Sequence, residues 1–303
     1  MRRAVIDVGS NSVLLTVCEN QANEWVPIYE TSNVSGLGEG VKRTGKLSNE
    51  SIQRTLELIK KAFEDAFLKN ADVKAYGTMA LRIAQNANDF LALAVKQNTP
   101  IKILSSENEA KLSLFSVCDD NSFNSHDCIT VIDVGGNSTE IATCKRRNNH
   151  FETVFERSFP CGTLTLRDHL PEKLDSPNLL KASQKIDDIF QMRYLPNQCG
   201  AVVALGASAT NLITIREKIM NWNPDKVHAQ KISYEEISKM AGWMSKMTDH
   251  QRAELQGLEK GRERTIHLGA LILERALFSV GAEYCYVSVR GWRHAIITRW
   301  NEF

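Results

Sequence analysis

Val5-Ile6-Asp7-Val8-Gly9-Ser10-Asn11-Ser12 and Val131-Ile132-Asp133-Val134-Gly135-Gly136-Asn137-Ser138 are one phrase written twice, identical at seven of eight positions. At about 0.06 chance per matched position over all window pairs, coincidence is roughly one in a thousand or rarer, so the chain reads as duplicated domains and not a short-period solenoid. Each copy starts as a β-branched apolar run suited to a buried strand and breaks at a Gly-x-Asn-Ser turn. It resumes as Val13-Leu14-Leu15-Thr16-Val17 or Thr139-Glu140-Ile141-Ala142-Thr143. The unit is strand–turn–strand with an aspartate, Asp7 or Asp133, at its tip. One such turn would be an ordinary hairpin; two with the same aspartate point to function. Glycine at Gly9, Gly135 and Gly136 lets the backbone approach a ligand, and successive N–H groups in such turns form an anion-binding concavity. Ser10, Ser12, Ser138 and Thr139 add hydroxyl donors, so two such hairpins facing each other would grip a chain of phosphates.

The 303 residues suggest two domains of about 150 residues. A 43% hydrophobic and 24% charged composition excludes disordered, collagen-like and fibrous classes. Basic minus acidic residues is 37 − 36 = +1, which argues against a nucleic-acid coat or a polybasic membrane anchor. Anion binding must then be built locally. The seven cysteines form no C-x-x-C pair and suit neither a disulfide framework nor a zinc site; they read as reduced thiols of a cytoplasmic protein. Asp7 interrupts the start where a signal peptide needs an apolar run, and no apolar stretch reaches membrane-spanning length. The seven histidines show no H-E-x-x-H spacing.

Between the copies, Ser48 is placed to cap a helix whose Ile52, Leu56, Ile59, Phe63 and Phe67 recur at helical spacing. Residues 73–78 read as a strand and 79–96 as one helical stretch containing Arg82; 101–104 read as a further strand. Ser106-Glu107-Asn108-Glu109 opens the next helix and also fits a capping box, a structural role that competes for Glu109. The second half repeats the alternation, with strands near 128–134, 139–144, 151–159 and 201–205, and a helix near 179–190. The last of these strands enters Gly206-Ala207-Ser208, a small-residue strand-to-helix turn that is a further, weaker anion-site candidate. A final strand at 284–289 leads into a last helix. Alternating strands and helices make this an α/β protein. The polar stretch 119–127 marks the expected boundary, giving 1–124, rejoined by 291–303, and 125–290.

The phrase at 5–12, Gly-Thr-Met-Ala-Leu-Arg at 77–82, Glu-Ala-Lys-Leu at 109–112 and the phrase at 131–140 together resemble the Ppx/GppA exopolyphosphatase and guanosine pentaphosphate phosphohydrolase family. That family lies in the actin, sugar-kinase and chaperone-ATPase superfamily. The likeness runs on, more weakly, through 206–211, 269–273 and 287–296, nearly the whole chain, and matches the short two-domain members. It implies two ribonuclease-H-like domains flanking a cleft, and hydrolysis of the terminal phosphoanhydride of inorganic polyphosphate. It makes Glu109 the general base for water and Arg82 a phosphate-holding arginine; Asp133, Glu140 and, at the equivalent hairpin, Asp7 become carboxylates linked to Mg²⁺. Gly9, Ser10, Asn11, Ser12, Gly135, Gly136, Asn137, Ser138, Thr139, Gly206 and Ser208 become substrate contacts. Homodimers are common among such relatives; Trp292, Ile296 and Trp300 on the last helix could serve that contact, or simply pack in the core.

Departures from the pattern bear on rate and substrate more than on fold. Asn108 stands for a second glutamate, Asn137 for a glycine, and Gly36 and Thr165 for arginines. Arg264 lies near an expected aspartate, and His294-Ala295 replace Glu-Gly. Four functions remain in view: an exopolyphosphatase, a guanosine pentaphosphate phosphohydrolase, a non-catalytic polyphosphate or alarmone sensor, and a kinase of the same superfamily. The last needs an adenosine pocket richer in glycine than 206–208.

Overall fold

The computed structural model describes residues 1–22, 24–147, 150–191 and 198–303. Two compact units emerge, residues 1–112 with 292–303, and residues 113–291. The first contains β1 (Arg2–Val8), β2 (Ser12–Gln21), β3 (Glu24–Val34), α1 (Val41–Thr44), α2 (Asn49–Leu68), β4 (Asp72–Gly77), α3 (Met79–Ile83), α4 (Ala87–Lys96), β5 (Lys102–Ile103) and the start of α5 (Ser106–Cys118). Its sheet order is β3-β2-β1-β4-β5, antiparallel through the two hairpins and parallel from β1 to β4 and β5.

The second unit contains β6 (Cys128–Val134), β7 (Thr139–Arg147), β8 (His150–Phe159), α6 (Thr163–Arg167), α7 (Ser176–Phe190), β9 (Ala201–Leu205), α8 (Gly206–Arg216), β10 (Gln230–Ser233), α9 (Tyr234–Ser245), α10 (Asp249–Ala253), α11 (Ile266–Val280) and β11 (Tyr284–Val287). Its order, β10-β11-β9-β6-β7-β8, repeats that of the first sheet with one antiparallel strand, β10, added at an edge. Even the irregularity repeats. The β2–β3 ladder shifts register between Val17 and Cys18, and the β7–β8 ladder between Thr143 and Cys144, 126 positions later (143 − 17). The short α12 (Trp292–Thr298) returns to the first unit. These are two ribonuclease-H-like α/β domains.

Ser48 does cap α2, accepting the Ser51 N–H at 3.1 Å, and Ile52, Leu56 and Ile59 are buried beneath it with Ala4, Ile6 and Val8 of β1. Each buried Ile, Leu or Val side chain contributes about 1.5–3 kcal/mol. Phe67, at the end of the helical stripe, is instead exposed. The expected helix over 79–96 is two helices. Gln85 N donates to Gly45 O, and the Asn86 amide bonds both Leu47 N and Leu47 O, so 84–86 is drawn out of the helix onto the preceding loop.

The expected boundary at 124/125 falls at 112/113, inside α5. Leu114, Val117, Cys118 and Phe123 are buried with Ile129, Val131, Ala142 and Cys144, so the back of α5 and the polar stretch behind it belong to the second core. Trp292 and Ile296 are buried, Trp292 edge-on to Tyr76, while Trp300 takes the Lys74 ammonium at 4.4 Å. Trp292 and Ile296 of the last helix therefore pack into the core, and Trp300 is half-buried. Among the described residues no helix is long and apolar enough to cross a membrane, and all seven cysteines are free thiols.

Candidate functional site

In the first unit the turn between β1 and β2 closes by a bond from Gly9 N to Ser12 O at 2.9 Å. Its carbonyls face the loop after β3: Gly38 N donates to Ser10 O at 2.7 Å, and Ser35 N and Gly36 N to Asn11 O at 2.9 and 3.0 Å. Among the described residues neither the Ser10 nor the Asn11 N–H donates to a backbone carbonyl. The Asn11 amide nitrogen is also buried without a partner, on a side chain only 8% exposed. Buried N–H donors left over at a glycine turn are what an anion needs, since each unmet donor costs about 1–3 kcal/mol until an acceptor arrives.

The second unit repeats the turn with different surroundings. Gly135 N bonds Ser138 O at 2.9 Å, and Leu164 N bonds Gly136 O at 2.7 Å, the counterpart of the Gly38–Ser10 bond. Thr163 N donates to Gly135 O at 3.0 Å, and the Thr165 hydroxyl lies 3.3 Å from Asn137 O and 3.4 Å from its amide oxygen. Asn137, the departure from glycine, is thus held by Thr165, itself a departure, and its φ is not positive. A Cβ on Gly162 would lie 2.5 Å from Asn137 N.

Asp133 stands directly opposite Glu140 in the β6–β7 ladder, placing both side chains on one face. Asp133 accepts from the Ser113 hydroxyl at 3.3 Å, and Glu140 from that of Ser158 at 2.7 Å. Gly206, at φ +80°, lets α8 start against the Asp133 carboxylate; a Cβ there would lie 2.9 Å from Asp133 Oδ1. Two carboxylates opposed across a ladder repel unless a cation offsets them. Mg²⁺ takes oxygen ligands, needs only one or two carboxylates, and keeps waters. The Asp133–Glu140 pair fits that requirement; among the described residues no group of three or more His, Cys, Asp or Glu forms a protein-only cage.

One expected substrate contact has its hydroxyl engaged within the protein, and another packs closely against a neighbouring helix. The wholly buried Thr139 donates its hydroxyl to Cys161 O at 2.6 Å, which removes that donor. Ser208 packs onto Gly269 of α11, where even a Cβ would collide with its hydroxyl.

Arg82 and Glu109, 27 positions apart, meet in the first unit. Arg82 Nη1 donates to Glu109 Oε2 at 2.7 Å and to Leu104 O at 2.7 Å, with side chains 14% and 12% exposed. The capping role that competed for Glu109 is filled one residue earlier, by Ser105 Oγ accepting Asn108 N at 3.1 Å. Glu109 is thereby a side chain oriented by a guanidinium, near the surface. Among the described residues, Arg82 Nη2 has only the Met79 sulfur at 3.9 Å, so an edge of the guanidinium remains for an anion.

Asp7 differs from Asp133. It stands opposite Leu14, and its Oδ2 lies 3.6 Å from Arg293 Nη1. Arg293 Nε donates to Thr16 Oγ1, which donates to Glu30 Oε1, and His294 Nε2 lies 3.4 Å from the same oxygen. Burial would raise the Glu30 carboxyl, but the His294 and Arg293 charges and the Thr16 bond outweigh it and hold it down to about 2. His294, a departure, thus serves a buried network.

Ser113, Ser158 and Gly162 have no role in the sequence reading. Gly162 alone had a signal: it lies 126 positions after Gly36 (162 − 36), the offset of the duplicated phrase, and both precede loops that grip their turns.

The profile of the Ppx/GppA phosphatase family matches residues 16–302. A bifunctional 3-dehydroquinate synthase/phosphatase of Fusobacterium nucleatum subsp. nucleatum is 26% identical over 300 residues, covering 94% of this chain and 44% of that protein. The chain therefore spans less than half the length of that relative. The crystal structure of the Aquifex aeolicus member of the Ppx/GppA family superposes with TM-score 0.79 at 24% identity, covering 100% of this chain and 98% of the other. An exopolyphosphatase from Cytophaga hutchinsonii superposes with TM-score 0.86 at 18% identity, with the same coverage of 100% and 98%. At these identities the superpositions bear on fold.

Proposed function

Because the chain belongs to the Ppx/GppA phosphatase family, we propose that it is an exopolyphosphatase, splitting the terminal phosphoanhydride of inorganic polyphosphate with water and releasing orthophosphate. The observation that carries this reading is the Arg82–Glu109 pair: a carboxylate held in one orientation by a 2.7 Å guanidinium bond yet partly open to solvent. A base for water needs both features. In the proposed reaction the Glu109 carboxylate takes a proton from water as its oxygen bonds the terminal phosphorus, and the bridging P–O bond breaks to release the shortened chain. Arg82 positions Glu109 through Nη1 and offers its other edge to phosphoryl oxygens, while the buried donors of the first turn bind phosphate. Asp133 and Glu140 would hold Mg²⁺, which neutralises phosphoryl charge when bound. With positioning and charge neutralisation in place, phosphoryl transfer to water needs little else.

The test is orthophosphate release from long-chain polyphosphate with Mg²⁺ present, and guanosine pentaphosphate as the comparison substrate. Glu109→Gln is expected to lower kcat by about 10²–10⁴-fold with KM little changed. An unchanged kcat removes Glu109 from the mechanism; faster release from guanosine pentaphosphate than from polyphosphate overturns the substrate assignment.

A further inference from the structure

Cys118, the last residue of α5, and Cys144, in β7, stand Sγ to Sγ at 3.2 Å. Both are reduced, and they are 7% and 0% exposed. Cys18 holds the corresponding place in the first copy, 126 positions earlier (144 − 18), directly after the same register shift. The second copy thus brings a partner thiol to a position that the duplication supplied. A disulfide needs sulfurs about 2.05 Å apart, so closure asks for about 1 Å of approach between groups already in contact. We propose that Cys118 and Cys144 are a redox pair that closes to a reversible disulfide on exposure to a peroxide.

Their shared hydrogen bond holds the Cys144 thiol below its ordinary value and pushes that of Cys118 up. One member of the pair is thereby favoured as the thiolate that attacks an oxidant. That sulfur attacks a peroxide oxygen, the O–O bond breaks, a sulfenic acid forms and water leaves. The second sulfur attacks the first, the S–O bond breaks, and a second water carries off the remaining thiol proton. Two thiols and one hydrogen peroxide give one disulfide and two waters. The bond would fasten the end of the helix whose first turn carries Glu109 to the strand that carries Glu140. It does not depend on the proposed hydrolysis, and its test reads no activity.

The full chain is treated with a small excess of hydrogen peroxide, denatured, and alkylated at its remaining thiols. Alkylated cysteines are expected to fall from seven to five and to return to seven with dithiothreitol. Trypsin leaves 112–145 as one peptide containing Cys118, Cys128 and Cys144, so cleavage before aspartates is used to separate the three. Mass spectrometry should then find Cys118 joined to Cys144. Cys118→Ser and Cys144→Ser should each show no linked peptide and keep six alkylated cysteines before and after peroxide. Seven alkylated cysteines in the treated parent, a link through Cys128, or an unchanged loss in either variant overturns the proposal.

Discussion

Gly36 and Gly162 occupy the same place in the two copies, and each copy needs glycine there for a different reason. Gly36 sits at φ +62°, and the nearest atoms a Cβ would meet belong to the side chains of Glu39 and Arg54, at 3.0–3.1 Å. Gly162 is extended, at φ −142°, but has no room, because the backbone of the second turn lies on it. The loop bond that follows is the same in both, 2.7 Å from Gly38 to Ser10 and from Leu164 to Gly136. The aspartates have diverged further: Asp7 faces Leu14 and lies beside Arg293, while Asp133 faces Glu140. One ancestral hairpin has thus kept its backbone device while its charge surroundings separated. The first turn keeps the buried Asn11 amide nitrogen without a partner, whereas the second unit sets two carboxylates across a ladder.

The contrast between copies is largest in acid. His267 in α11 is fully buried with neither ring nitrogen bonded, and burial, helped by Arg252 and Arg167, lowers its pKa to about 3. An unfolded histidine protonates near 6.5, so between 6.5 and 3 the unfolded chain binds more protons and stability falls as pH drops. The loss is on the order of 5 kcal/mol by pH 3. Glu30 in the first unit, down to about 2, keeps its contribution above about 4.5 and loses roughly 3 kcal/mol as pH falls through 2. Urea unfolding from pH 7 to 4 should show the decline in the parent and a flatter profile in His267→Leu. Glu30→Gln should alter the profile only below 4.5. Equal slopes in parent and His267→Leu would break the contrast.

Gly162→Ala should cost about 3 kcal/mol, since a backbone must move, against about 1 kcal/mol for Gly36→Ala, where side chains yield and only the positive φ is penalised. Urea midpoints measure both; equal losses would mean the two loops hold their turns alike.

The asparagines give the smallest effect and the sharpest test. Asn11→Ala removes an unmet donor, so it should leave unfolding unchanged or slightly improved while raising the KM for polyphosphate about tenfold. Asn137→Ala should do the reverse, lowering stability by about 1 kcal/mol through loss of the Thr165 contact, with a smaller change in KM. Matching KM changes would erase the functional difference between the turns.

Legibility in the sequence followed locality. The repeated phrase announces itself because a buried strand, a tight turn and a second strand each demand particular residues within a few positions, and those demands survived duplication in both copies. The break at 84–86 was invisible because its cause, the backbone of residues 45–47, lies far off in the chain. Thr139 reads locally as a donor to a ligand, but its hydroxyl turns inward to Cys161 O, a partner remote along the chain. The boundary inside α5 was hidden because a helix carries no local mark of which core its two ends will join.

Sequence by itself determined the duplication, the α/β class, the two glycine turns with their aspartates, and the family resemblance, since all of these rest on residue type and short-range spacing. Only the tertiary structure decided that Arg82 orients Glu109, that Asp7 goes to an arginine and Asp133 to a glutamate, and that Cys118 meets Cys144. Those pairings join residues remote along the chain, or opposed by strand register, and only packing and pairing bring such groups within reach of one another.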